Sequence, residues 1–208
     1  MARTFLSFEG IDGSGKSTQA GLLAATLRTQ GWTVCLTREP GGSEGAEEIR
    51  RLLLEGHVDR WSTETELLLF TAARRDHLEK TIRPALARGE VVICDRFADS
   101  SRIYQGLTRG DLRAKVDQLH ALMIGQEPDL TFLIDIDAEQ GLRRALSRPG
   151  RELRFEDMGL ALQQKARAGF LDLARAAPAR FRVILGNGAV AAVQAQVLAT
   201  ALTHLAAT

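Results

Sequence analysis

The chain has little lysine, little cysteine and almost no net charge. Of its 27 basic residues only Lys16, Lys80, Lys115 and Lys165 are lysines, and the formal net charge is +1. A chain so balanced has no general attraction for nucleic acid or for a membrane surface. Two cysteines among 208 residues exclude a disulfide scaffold. Cys35 and Cys94 each sit in an apolar run and read as reduced core thiols in a cytoplasmic protein. The four histidines, His57, His77, His120 and His204, show no metal-ligand spacing with each other or with cysteine. No leader is expected before Phe5, and no apolar run reads as long enough to span a bilayer. There is no internal repeat and no low-complexity linker.

What is present suffices for one packed core: 45% hydrophobic and 25% charged residues are near the averages for globular domains. The length is compatible with a single domain over 1–208. Five short segments read as strands: Thr4–Glu9, Thr33–Thr37, Glu90–Asp95, Leu130–Ile136 and Arg182–Leu185. Most are continuous apolar runs, as expected of strands covered on both faces of a parallel sheet. Helical patterns alternate with them: Lys16–Thr29, Ser43–Glu55, Thr63–Arg88, Asp111–Gly125, Ala138–Ser147, Phe155–Ala176 and Ala189–Ala206. This order predicts a three-layer α/β fold.

One loop carries a strong signal. GIDGSGKS, Gly10–Ser17, fits G-x-x-x-x-G-K-[ST] between a strand and a helix. Glycines let backbone N–H groups turn inward on phosphate oxygens, and the following helix points its positive end at the same place. Gly10, Ile11, Asp12, Gly13, Ser14, Gly15, Lys16 and Ser17, with the adjoining Thr18, are therefore candidates to hold the phosphates of ATP. Lys16 suits the β- and γ-phosphates, and the Ser17 hydroxyl suits Mg²⁺.

Other candidates fall at the carboxyl ends of strands, where open α/β sheets bind ligands. TREPGG places Arg38 and Glu39 after the second strand, although a capped turn with a surface ion pair would read the same way. DRF after the third strand offers Asp95 at a Walker-B position for Mg²⁺, and Arg96 for phosphate. Ser101, Tyr104 and Gln105 follow about one turn apart and could share one pocket. A polar helix start capped by Asp99 or Ser100 is the plainer reading of that stretch. Phe70 and Arg74, four apart, make a seat for a nucleobase, or else a core residue beside a solvated one. Arg143–Asp157 is rich in arginine and broken by Pro149–Gly150, as a mobile lid over the phosphates would be.

In this order, GIDGSGKSTQ, TREPGG, EEIRRLLLEG, LLLFTAARRDHL, DRFADSSRIYQG and the stretch ending in RFE resemble the bacterial thymidylate kinases over nearly the whole chain. The resemblance implies a P-loop NTPase fold with a five-stranded parallel sheet, a lid at about 143–157, and a homodimer. It implies transfer of the ATP γ-phosphate to dTMP with Mg²⁺. Arg50 and Arg96 would then hold the dTMP phosphate, Phe70 would stack on thymine, and Arg74 would bond a base carbonyl. Ser101 and Gln105 would contact the base, Tyr104 would pack on the deoxyribose, and Asp12 would lie near the 3′-hydroxyl or acceptor phosphate. Glu39 and Asp95 would organise magnesium and its waters. Gly13 stands where some members carry an arginine, so the catalytic arginine would come from the lid, from Arg148, Arg151 or Arg154. Gly186–Asn187–Gly188 replaces the usual D-[AG]-[ST] near the adenine. A deoxynucleoside kinase, with Glu39 as base, and an ATP-dependent switch are the alternatives.

Overall fold

The computed structural model describes residues 4–57, 60–108, 110–147 and 159–207. Its five strands are β1 Thr4–Glu9, β2 Val34–Arg38, β3 Val91–Asp95, β4 Leu130–Asp135 and β5 Phe181–Leu185. All pair in parallel, in the order β2-β3-β1-β4-β5. The helices are α1 Lys16–Thr29, α2 Glu44–Leu54, α3 Thr63–His77, α4 Arg83–Ala87, α5 Ala98–Ile103, α6 Arg113–Leu119, α7 Ala138–Leu146, α8 Gly159–Ala176 and α9 Val190–Ala207. Parallel pairing forces each chain crossing over a face of the sheet, so helices cover both sides.

Alternation along the strands sorts the core into layers. Leu6 and Phe8 of β1 face α1 and α9, where Leu23, Leu27, Val193, Val197 and Leu205 meet them. The Phe8 ring stacks on Phe132 of β4 with centroids 4.9 Å apart. Phe5 faces the other way and meets Phe97 edge-on at 5.0 Å, in a cluster with Leu78, Ile82 and Val92. Each such side chain contributes roughly 1.5–3 kcal/mol on leaving water.

Several sequence expectations need correction. The edge strands β2 and β5 are not covered on both faces: Leu36 and Leu185 are exposed, because no neighbour closes their outer side. Cys94 is buried in the core, but Cys35, on edge strand β2, is only half-buried. The expected Thr63–Arg88 helix runs without a break from α3 through a π-helical turn at Leu78–Ile82 into α4, and α6 continues into another such turn at His120–Ile124. By length and composition α9 is apolar enough to cross a membrane, contrary to the expectation. Its Val193, Val197, Ala201 and Leu205 pack into the core against α1 and the sheet.

Candidate active site

The register brings three strand ends together. Phe8 and Arg38 both lie beside Asp95, so Glu9, Glu39 and Arg96 emerge next to one another at the carboxyl edge. The ladder continues one step past the strands: Arg96 N donates to Phe8 O at 2.9 Å, and Glu39 N donates to Asp95 O at 2.9 Å.

On one side of this edge lies the phosphate loop. Gly13 has φ 74°, and a Cβ there would stand 2.0 Å from Gly141 O of α7. A Cβ on Gly141 would in turn meet Asp12 O at 2.8 Å. Two glycines thus let α7 dock its backbone directly on the loop, and they leave no room for a side chain at position 13. Lys16 is buried, and its Nζ donates to Ile11 O at 2.9 Å. Burial and the nearby Arg96 lower its pKa to about 8, against the opposing pull of Asp12, Asp95 and Glu9. Ser14 Oγ is buried with no partner among the described residues, whereas Ser17 and Thr18 are exposed at the start of α1. Gly186 abuts this loop: its N–H donates to Asp135 O at 2.7 Å, and its O accepts from Arg144 Nη1 at 3.3 Å.

On the other side is a partly open cleft. Asp12, Glu39, Phe70, Arg74, Arg96, Ser101, Tyr104 and Gln105 line it, with Pro40, Leu54, Phe97 and Ser100. Eight of the residues expected at an acceptor site therefore converge. Arg50 is not in the lining, but its guanidinium bonds the carbonyl of Pro40, which is. Asp95 stands at the end of β3 behind Arg96, with Oδ1 buried and unpartnered among the described residues. Arg148, Arg151 and Arg154 lie outside the described residues.

Arg96 joins the two sides. It is the one non-glycine with positive φ, 70°, among the described residues, a conformation that costs free energy and is held by its surroundings. Its guanidinium bonds Asp12, Gly10 O at 3.2 Å and Ser100 Oγ at 3.0 Å, and it lies over the Tyr104 ring at 5.3 Å. Burial works against ionisation of Asp12, but Arg96 and Lys16 outweigh it and hold the carboxyl below its ordinary value.

The plainer readings of two segments fail. Asp99 and Ser100 do not cap α5 but lie inside it. Its first N–H groups are satisfied by Glu9, which accepts from Phe97 N at 2.8 Å, Ser100 N at 3.2 Å and Ser100 Oγ at 2.7 Å. A carboxylate at a helix N-terminus is favourable, yet this one is fully buried. Burial, reinforced by Asp99, pushes its carboxyl up to about 7, against Arg96 and the donors from Ser100 and Phe97. Nor is Arg74 solvated. It is 5% exposed, with Nε donating to Glu39 Oε2 at 2.6 Å. Arg38 and Glu39 part company: Arg38 makes the expected surface pair with Glu47, while Glu39 is buried and held by both Arg74 and His77.

Four polar residues of the site escape the sequence reading. Glu9 precedes the loop motif, and a charge ending an apolar strand is its only signal. Glu66 accepts from Gln105 Nε2 at 2.8 Å. His77 bridges Thr37, at 2.7 Å, and Glu39, at 3.1 Å. Gln163, on α8, donates to Asp12 Oδ2 at 3.3 Å.

The chain as a whole is similar to known proteins. The thymidylate kinase family model matches residues 8–197. A thymidylate kinase of Ruegeria pomeroyi is 72% identical over 201 residues, 97% of this chain and 95% of the relative. One from Dinoroseobacter shibae is 68% identical over 194 residues, 93% and 94% of the two chains. The crystal structure of the Ehrlichia chaffeensis thymidylate kinase is similar with a TM-score of 0.76 and 38% identity, covering 95% of this chain and 97% of that one. The likeness runs along almost the whole sequence, and this chain belongs to the thymidylate kinase family.

Proposed function

We propose that the chain transfers the γ-phosphoryl group of ATP to dTMP, giving ADP and dTDP. The supporting observation is the position of Arg96, bonded to Gly10 O and Asp12 of the phosphate loop while lining the acceptor cleft. A donor phosphate on the loop and an acceptor phosphate in the cleft would meet at this guanidinium. The acceptor oxygen is already anionic, so no general base is required. Alignment and charge neutralisation by Lys16 and Arg96 then carry the reaction.

Phe70 supplies a stacking face and Arg74 a donor for the base, with Ser101 and Gln105 beside them. Arg50, anchored on Pro40, adds a second cation for the acceptor phosphate. Glu39 spends both carboxylate oxygens on Arg74 and His77, which favours an anchoring role over that of a base for a nucleoside hydroxyl. Magnesium, when bound, would neutralise and orient the phosphates. Asp95, with its unpartnered Oδ1, and the exposed Ser17 hydroxyl suit it. No group of three or more acidic, histidine or cysteine side chains able to hold a metal occurs among the described residues, so phosphates and water would complete the shell. Arg148, Arg151 and Arg154 are assigned to a lid that excludes water. The exposed apolar Leu68, Leu122 and Met123 are available to a homodimer, which light scattering would detect.

The test is ADP release from MgATP with no acceptor, thymidine, dTMP or dUMP. Fast turnover with dTMP and not with thymidine is expected. Turnover with thymidine would mean a nucleoside kinase, and slow turnover indifferent to acceptor would mean a switch.

A further inference from the structure

Glu66 is a fully buried acid that phosphoryl transfer itself does not call for. It lies on α3 one turn before Phe70, and Gln105 Nε2 donates to its Oε1. Gln105 is almost as deeply buried and lines the cleft. A carboxamide has one end that only donates and one that only accepts, whereas a carboxylate only accepts. Glu66 therefore takes the nitrogen of Gln105, and the end left to face the cleft is the carbonyl oxygen.

Arg74 supplies the opposite polarity nearby. Its Nε goes to Glu39, and its Nη2 goes to Phe97 O at 3.2 Å and Ser101 Oγ at 3.1 Å. Nη1 has no partner among the described residues, and Arg74 lines the same cleft. The base seat thus offers one fixed acceptor and one fixed donor beside the Phe70 ring.

We infer that Glu66 sets the base specificity of the acceptor site. By holding Gln105 oxygen-inward, it selects pyrimidines that carry an N–H beside a ring carbonyl, as thymine and uracil do. It excludes those that carry a bare ring nitrogen beside an amino group, as cytosine does. The inference rests on the dTMP reading above. Cytosine would set its ring nitrogen against the Gln105 oxygen and its amino group against Arg74, leaving polar groups unpaired beside two buried side chains. Sites built to hydrogen-bond a group discriminate far more sharply than sites that rely on shape. Glu66 acts through Gln105 and is a positioning residue. The 5-methyl group lies outside this logic, so thymine and uracil are treated alike.

The test compares kcat/KM for dTMP, dUMP and dCMP in the wild type, Glu66→Gln and Glu66→Asp. Glutamine at 66 can accept from or donate to Gln105, so the Gln105 amide is free to turn. The dTMP and dUMP values are expected to fall together, while the ratio of dCMP to dTMP rises about tenfold or more. The gain stays partial because Arg74 still opposes the amino group. Aspartate can only accept, so that variant should keep the wild-type ratio even if its activity drops. Equal losses for all three acceptors in Glu66→Gln would overturn the inference, as would a Glu66→Asp ratio that rises like the glutamine one. A wild type that fails to use dTMP would instead overturn the underlying function, which the same assay reads separately.

Discussion

Replacing Glu9 by glutamine is expected to stabilise the protein progressively as pH rises from mildly acid to mildly alkaline. The folded state pushes this carboxyl from 4.5 up to about 7, chiefly by burial and then by Asp99, against Arg96 and two hydrogen-bonding neighbours. In the unfolded chain it titrates near the lower value. Between the two, the native state keeps a proton that the unfolded state has lost. Its stabilising share is therefore complete below the unfolded value and is lost as pH climbs through the folded one. The full shift corresponds to about 3 kcal/mol. About 2.5 kcal/mol of that develops between about pH 5 and 8. Glutamine keeps an oxygen for Phe97 N and Ser100 N but cannot ionise. Its amide nitrogen must donate to Ser100 Oγ, a reversal whose cost does not vary with pH. The quantity to follow is thus the pH trend of the difference between the two proteins. Urea unfolding of both at several pH values, without nucleotide or magnesium, measures it, and equal m-values would show that the unfolded states match. A difference that stays flat would refute the raised carboxyl. A trend of opposite sign would mean that Arg96 holds Glu9 ionised and outweighs burial.

Lys16→Ala should cut kcat by about two or more orders of magnitude, and ADP release measures it. In the intact enzyme Lys16 loses its proton above about 8, so ATP affinity, read by calorimetry, should fall toward tenfold per pH unit beyond that point; constant affinity would remove Lys16 from the phosphate site. Gly13→Ala should lose at least about 2 kcal/mol of stability, because its Cβ would strike Gly141 O and its φ is left-handed; an unchanged unfolding midpoint would contradict the close docking of α7. Arg74→Ala should raise KM for dTMP about tenfold or more and leave KM for ATP alone, since its bonds lie in the cleft and none reaches the loop; steady-state kinetics with either substrate varied decides it.

The five strands were legible because apolar runs and turn residues are local signals. The structure moves their ends by only a residue or so. The phosphate loop was legible for the same reason, since one consecutive stretch must supply both the glycines and the lysine. The spacing of Ser101, Tyr104 and Gln105 likewise survives, because one helical path carries all three. Less legible were exposure and polarity. Arg74 and Glu39 read as ambiguous surface charges, yet they pair at 2.6 Å in the cleft wall. Nothing local distinguishes an arginine that faces water from one that faces a buried carboxylate.

The sequence by itself determined the layer architecture, the phosphate cradle and the residue types of the acceptor site, since periodicity and contiguous motifs express these directly. Only the tertiary structure decided how the polar residues are oriented. Glu9 holds the start of α5 from 91 residues away, Glu66 turns Gln105 from 39 away, and Gln163 reaches Asp12 across 151. These contacts arise where the parallel register and the crossover helices bring distant segments to one edge of the sheet. A buried carboxylate is tolerable only where donors converge on it. Which donors converge is a property of the folded chain and of no stretch within it.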